Sequence, residues 1–307
     1  MRRFLQLKQE YLPMRATNKI ALGTAQFGLN YGVANQSGQI NNSMAKDVFS
    51  YCVEAGIDTL DTAMAYGDSE SVIGSASGSS KFKIITKLPP LEYVGRLEKA
   101  LVKDMIRESL VKLKADQLEG LLLHSSRQLL GADGEKIYEA LEEAKVDGLV
   151  KKIGISVYSP EEASKIISQY KIDLIQMPFN LLDQRLIKSG FLGKLKEENI
   201  EVHVRSVFLQ GLLLMDPYER PSKFSKWSGI WQEWQNWLDN NPYTAMHACL
   251  SLPLAFPEID RIVIGVDNVA QLREVQEAAN QRLSLLDLPN LACDDESLIN
   301  PSLWSNL

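Results

Sequence analysis

Short apolar runs alternate with amphipathic segments along nearly all of this 307-residue chain, and that alternation narrows the available folds more than any other feature. The runs are Ile20-Ala21-Leu22-Gly23, Thr59-Leu60-Asp61, Ile84-Ile85-Thr86, 118–123, Ile153-Gly154-Ile155-Ser156, Leu174-Ile175-Gln176-Met177, 202–206 and 261–265. They are continuously apolar rather than alternating, as strands covered on both faces tend to be. Helix signals fall between them, over 43–55, 68–74, 104–113, 135–147, from Ser159 onward, and over 186–198, 243–255 and 268–279. Ser43 reads as an N-cap, Gly56 and Gly148 as stops, and Ser159-Pro160-Glu161-Glu162 as a capped start. Eight strand–helix units predict an α/β chain folded as one (β/α)₈ TIM barrel, with its site at the C-terminal ends of the strands. The barrel is expected over 19–283, between an N-terminal extension (1–18) and a C-terminal tail (284–307) that could fold over the site. A doubly wound sheet is the competing architecture. It should show Gly-x-Gly-x-x-Gly after its first strand, and Gly23-Thr24-Ala25-Gln26-Phe27-Gly28 does not match.

Composition excludes some partners. A net charge of −6 argues against nucleic acid or an anionic membrane. No segment approaches the roughly 20 apolar residues of a membrane span, and the basic start lacks a signal peptide's apolar core. Cys52, Cys249 and Cys293 are far apart, so neither a disulfide framework nor a zinc ribbon is indicated, and a reducing cytoplasm is the expected setting. His124, His203 and His247 lack ligand spacing, so no metal is expected. Nothing in the sequence speaks to oligomeric state.

Four polar residues stand at or just past predicted strand ends: Asp61, Tyr66, Lys87 and His124. Singly, each has a plain structural reading as a loop cap, a packing phenol, a solvated amine or a structural imidazole. On neighbouring parallel strands they would converge at one rim as a proton-donating site.

The stretch Gly56-Ile57-Asp58-Thr59-Leu60-Asp61-Thr62-Ala63-Met64-Ala65-Tyr66-Gly67 resembles the signature of the aldo-keto reductases, as does the order Asp, Tyr, Lys, His on consecutive strands. The likeness runs from about Lys19 to Gln276. It implies a barrel that binds a nicotinamide dinucleotide and reduces a small-molecule aldehyde or ketone to an alcohol. Residue chemistry supports the same roles. Hydride addition leaves negative charge on oxygen, which calls for a positioned acid. Tyr66 is that acid in this reading. Lys87 lowers its pKa, Asp61 holds Lys87 charged, and His124 orients the carbonyl or relays a proton.

The resemblance also assigns a cofactor set: Thr24, Ser156, Gln176, Arg205, Ser206, Phe208, Gly265, Asp267, Gln271 and Glu274. Three positions depart from the family's habit. Val157 replaces an Asn, and Val275 replaces another. Arg205 stands where a Tyr usually stacks on the nicotinamide, so it reads as a stacking residue, a contact for a substrate anion, or half of an ion pair. Family habit favours NADP(H), whereas the Asp267 carboxylate would repel a 2′-phosphate and suits NAD(H); the balance leans slightly to NADP(H). The stretch Leu22 to Asn35 is similar to a bacterial branch associated with sugar or surface-polysaccharide metabolism, which suggests a sugar-derived carbonyl. A cofactor-binding regulatory module with little or no turnover is the alternative, and a Lys87 Schiff-base aldolase ranks third. The 215–238 segment is expected to be a large rim loop. Its Trp227, Trp231, Trp234 and Trp237 read as a packing face or a pocket lining, as does Trp304. The 74–80 stretch reads as a flexible loop.

Overall fold

A computed structural model describes residues 16–35, 38–76, 81–91 and 99–307. Eight parallel strands close into a barrel: β1 (Ile20–Gly23), β2 (Thr59–Asp61), β3 (Lys83–Leu88), β4 (Leu118–Leu123), β5 (Val150–Ser156), β6 (Leu174–Pro178), β7 (Glu201–Arg205) and β8 (Arg261–Gly265). Sequence neighbours pair throughout, and β8 returns to β1 with Leu22 beside Ile264. The helices are α1 (Asn42–Ala55), α2 (Ser69–Ala76), α3 (Lys99–Leu113), α4 (Gly134–Val146), α5 (Pro160–Ile167), α6 (Arg185–Lys188), α7 (Phe191–Glu197), α8 (Ser228–Asn240), α9 (Ala245–Leu254), α10 (Val269–Asn280) and α11 (Glu296–Ile299). None of them is long and apolar enough to cross a membrane.

Strand period two decides which residues meet. Ile85, Leu122 and Leu174 form a small apolar cluster of their own, apart from the large core between sheet and helices. Two residues further along the same strands, on the same face, come Lys87, His124 (just past β4) and Gln176. Asp61, Ser156, Arg205 and Gly265 close β2, β5, β7 and β8. Gly154 belongs to the inner layer as well: a Cβ there would lie 2.1 Å from the Leu174 carbonyl. The barrel thus carries an apolar plug with a polar layer above it.

Several local expectations change. Helix α1 is capped by Asn41 rather than Ser43, because the Asn41 side chain accepts from the Ser43 and Met44 amides. The single helix expected over 186–198 is split into α6 and α7, because Gly190 takes a left-handed φ of 72°. The expected 215–238 loop contains α8, and its tryptophans are structural. Trp227, Trp231 and Trp234 are buried; Trp231 donates to the Phe224 carbonyl at 2.8 Å and Trp234 to that of Leu213 at 3.1 Å. The C-terminal tail runs beside α6 and α8, with Glu296 on Arg185 at 3.1 Å, Asp294 on Lys188 at 3.0 Å and Trp304 edge-on to Phe224. Of the 74–80 stretch, Gly74 to Ala76 ends α2 and the remainder lies outside the described residues, as does the N-terminal extension up to residue 15.

Candidate active site

Asp61 and Lys87 form a buried ion pair at the centre of the rim. The Lys87 ammonium donates to Asp61 Oδ2 at 2.6 Å and to the Thr62 carbonyl at 2.8 Å, while Gln176 Nε2 donates to Asp61 Oδ1 at 2.7 Å. Lys87 is 1% exposed and Asp61 4%, so neither charge has water to fall back on. Burial pushes the Lys87 amine below its usual range, and the Asp61 carboxylate opposes that.

Tyr66 lies beside this pair. Lys87 Nζ is 5.2 Å from the centroid of its ring, and the His124 ring meets it edge-on at 5.8 Å between centroids. Two glycines set the phenol in place. A Cβ on Gly28 would fall 1.7 Å from the Tyr66 carbonyl oxygen, and one on Gly67 would fall 2.4 Å from the Gly28 carbonyl oxygen. Gly67 also holds a φ of 54°, which glycine takes without strain. The turn bearing Tyr66 therefore packs backbone to backbone on the loop after β1.

The electrostatics differ from the sequence expectation in one respect. The Tyr66 hydroxyl is pushed up, first by burial and then by the Asp61 carboxylate, and the cation opposing the rise is Arg205 rather than Lys87. The physical reason is pairing: with Asp61 at 2.6 Å, the Lys87 charge is largely cancelled before it reaches the phenol. His124 is pushed down to about 4 by burial, then by the charges of Lys87 and Arg205. It is neutral at pH 7.

Arg205 reaches from the end of β7 across to the segment after β5. Its guanidinium stacks on the Tyr158 ring at 4.5 Å and donates to the Val157 carbonyl at 3.2 Å. Tyr158 was not foreseen, although it follows Ser156-Val157 directly and an aromatic there was the available signal. Tyr31, within the Leu22 to Asn35 stretch, also reaches the rim, where its hydroxyl accepts from Gln210 Nε2 at 3.5 Å.

A cleft of about 750 Å³ opens from Tyr66 toward β8 and α10. Thr24, Gln176, Arg205, Ser206, Phe208, Gly265, Asp267, Gln271 and Glu274 line it together with Asp61 and Tyr66. Lys87 and His124 stand behind and beside Tyr66 rather than in its wall, and Ser156 is buried next to Gln176 in the sheet register. Thr24 is committed locally, its hydroxyl donating to the Asp61 carbonyl at 3.0 Å. The loop after β7 is strained, with Ser206, Leu209 and Gln210 at φ of 58°, 49° and 54°. Its Gln210 carbonyl accepts from the Ala34 amide at 3.4 Å, which ties it to the loop after β1.

A dinucleotide fits this lining. Gln176 Oε1 and Asp267 Oδ1 are both buried without a hydrogen-bond partner, one at the end of β6 and one just past β8. Such acceptors are rare unless a bound group or water satisfies them. A wider cavity of about 820 Å³ lies elsewhere, between Lys152, Tyr170 and Glu201, and includes none of these residues. The other two histidines serve the fold: His203 Nε2 lies 2.8 Å from Glu201, and His247 completes the capping box of α9.

Barrel, rim and cleft together define a dinucleotide-dependent oxidoreductase of the (β/α)₈ kind. The sequence model described as the Aldo/keto reductase family matches residues 19–291, and the chain belongs to that family. It is 28% identical over 284 residues to the uncharacterized oxidoreductase YqkF of Bacillus subtilis, covering 86% of this chain and 92% of that one. It is 27% identical over 186 residues to a 6-dehydroglucose reductase of Agrobacterium fabrum, covering 54% of this chain and 62% of that one. Among solved structures, the holo form of the aldo-keto reductase AKR11C1 from Bacillus halodurans superposes with a TM-score of 0.71 at 21% identity, over 91% of this chain and 94% of that one. The chain is thus an NAD(P)H-dependent oxidoreductase that acts on small carbonyl compounds.

Proposed function

We propose that this enzyme reduces a sugar-derived aldehyde or ketone to the alcohol, with Tyr66 as the general acid. The observation that supports this most is the convergence of four side chains from the ends of three consecutive strands, β2, β3 and β4, and the turns after them: a phenol whose ring centroid lies 5.2 Å from a buried ammonium, that ammonium clamped by a carboxylate at 2.6 Å, and a neutral imidazole edge-on to the phenol. A reduced dinucleotide, when bound, would supply the hydride for the carbonyl carbon. Gln176 would hold the nicotinamide end through its unpartnered Oε1, because its amide nitrogen is already given to Asp61.

Tyr66 donates its proton as negative charge gathers on the carbonyl oxygen, and the phenol is refilled from solvent at the rim. Its raised pKa keeps it in the donor form at every working pH, and an alkoxide is a far stronger base than a phenolate. His124, neutral at pH 7, offers a hydrogen bond to the same oxygen without competing for the proton. Arg205 supplies the positive charge that steadies the phenolate once the proton has left. The partial likeness to a 6-dehydroglucose reductase supports a keto- or aldehydo-sugar as substrate.

Tyr66→Phe removes one hydroxyl and little else. It should lower kcat for a panel of aldehydes and keto-sugars by about 10²–10⁴ while leaving dinucleotide affinity in place. Turnover near the native rate would overturn the assignment.

A further inference from the structure

The outer part of the cleft, away from Tyr66, carries an unusual charge balance. Its walls include five carboxylates there, those of Asp216, Glu219, Asp267, Glu274 and Glu277. Arg205, at the catalytic end, is the only lysine or arginine lining the cleft among the described residues. Nearby cations are turned elsewhere. Arg220 stacks on Trp231 at 4.3 Å, and Arg273, on α10, stacks on Tyr51 at 4.2 Å.

Within this acidic stretch Asp267 is held rigidly. Its amide donates to Gln271 Oε1 at 2.7 Å, and Gln271 Nε2 reaches Asp267 Oδ2 at 3.4 Å. That leaves Oδ1 buried and unpartnered, an acceptor in want of a neutral donor. The N-terminus of α10 would ordinarily welcome an anion. Here Asn268 already caps it, accepting from the Gln271 amide at 3.0 Å, and Asp267 adds a carboxylate one residue before the cap.

We propose that the cleft selects NAD(H) over NADP(H), with Asp267 as the specificity-determining residue. A free ribose hydroxyl satisfies Oδ1 with a charge-assisted hydrogen bond. A 2′-phosphate would bring two negative charges against a fixed carboxylate, and the one lysine or arginine lining the cleft among the described residues, Arg205, stands at the catalytic end. This reverses the slight lean to NADP(H) that the family resemblance gave. It rests on the dinucleotide reading above and adds the identity of the nucleotide.

The test is direct titration of the full chain with NADH and with NADPH, followed by nucleotide fluorescence, so that no turnover is needed. NADH should bind at least about tenfold more tightly, the scale of one like-charge contact near a protein surface. Asp267→Asn keeps the shape and removes the charge. It should narrow the ratio by at least about threefold, and should do so partly by strengthening NADPH, a gain that damage to the fold cannot produce. Asp267→Ser should act in the same direction and serves if the Asn variant is poorly folded. Equal or tighter NADPH binding by the native chain, or an unchanged ratio in both variants, overturns the proposal. Failure of the native chain to bind either nucleotide would instead overturn the dinucleotide reading itself, and the selectivity with it.

Discussion

Asp61→Asn keeps the volume of the side chain and removes its charge, which isolates what the buried ion pair contributes. In the native chain the two Asp61 oxygens accept from Lys87 and Gln176 at 2.6 and 2.7 Å, with both charged partners almost fully buried. Asparagine can accept from only one of these donors, and its own amide must face the other. An ammonium left unpaired at this depth costs about 3–5 kcal/mol. Lys87 limits the cost by losing its proton, since burial already lowers its pKa and the variant lacks the carboxylate that opposed the shift. The sign of the pH dependence follows. Between the variant's depressed folded pKa and an unfolded value near ~10.4, the unfolded chain binds the extra proton, so stability rises with pH across that window. Urea unfolding at pH 6, 7.5 and 9 should therefore show a deficit of about 3–5 kcal/mol at the acid end that shrinks toward pH 9. Adding Lys87→Met should recover most of the loss, because a neutral pair leaves no buried charge. A deficit below about 1 kcal/mol that is flat with pH, the size expected of an exposed pair, would refute the argument.

Three further outcomes follow from the rim. His124 titrates at about 4 when folded against 6.5 when unfolded, so its contribution is complete above pH 6.5 and is lost as the pH falls toward 4. The loss is about 3 kcal/mol, and His124→Gln should flatten that part of a stability-against-pH curve. The same neutrality means that kcat/KM should show no step near pH 6.5 that His124→Gln removes. Gly28→Ala should destabilise the fold by about 1–3 kcal/mol and lower kcat more than it raises KM, because relieving the overlap displaces Tyr66; thermal melts and steady-state kinetics check both.

Strand count, barrel closure and the convergence of Asp61, Tyr66, Lys87 and His124 were legible because each depends on local signals: an apolar run, a polar residue at its end and a turn after it. Four strand limits, 20–23, 59–61, 118–123 and 261–265, agree to the residue. Less was legible where the outcome depends on competition between neighbours. Asn41 and Ser43 are both good caps, and only the backbone path decides between them. Gly190 could have stayed inside a helix, since nothing in its neighbours' side chains announces a left-handed turn. The Trp segment looked like a loop because it interrupts strand–helix alternation, although its spacing was already helical. Partnerships were hidden most deeply. That Gln176 spends its nitrogen on Asp61, 115 positions earlier in the chain, follows from barrel closure and from no pattern within either strand.

The contact between Gly28 and Gly67 has a bearing on how such a barrel can be altered. Loops after the strands are the usual place to graft a new specificity, on the view that each can be exchanged alone. Here two of them meet through bare main chain, so a transplanted first loop that brings a side chain at position 28 would displace the turn that carries Tyr66, however well the graft suited a new substrate. The two segments form one inheritable unit, and a redesign that moves either should carry both.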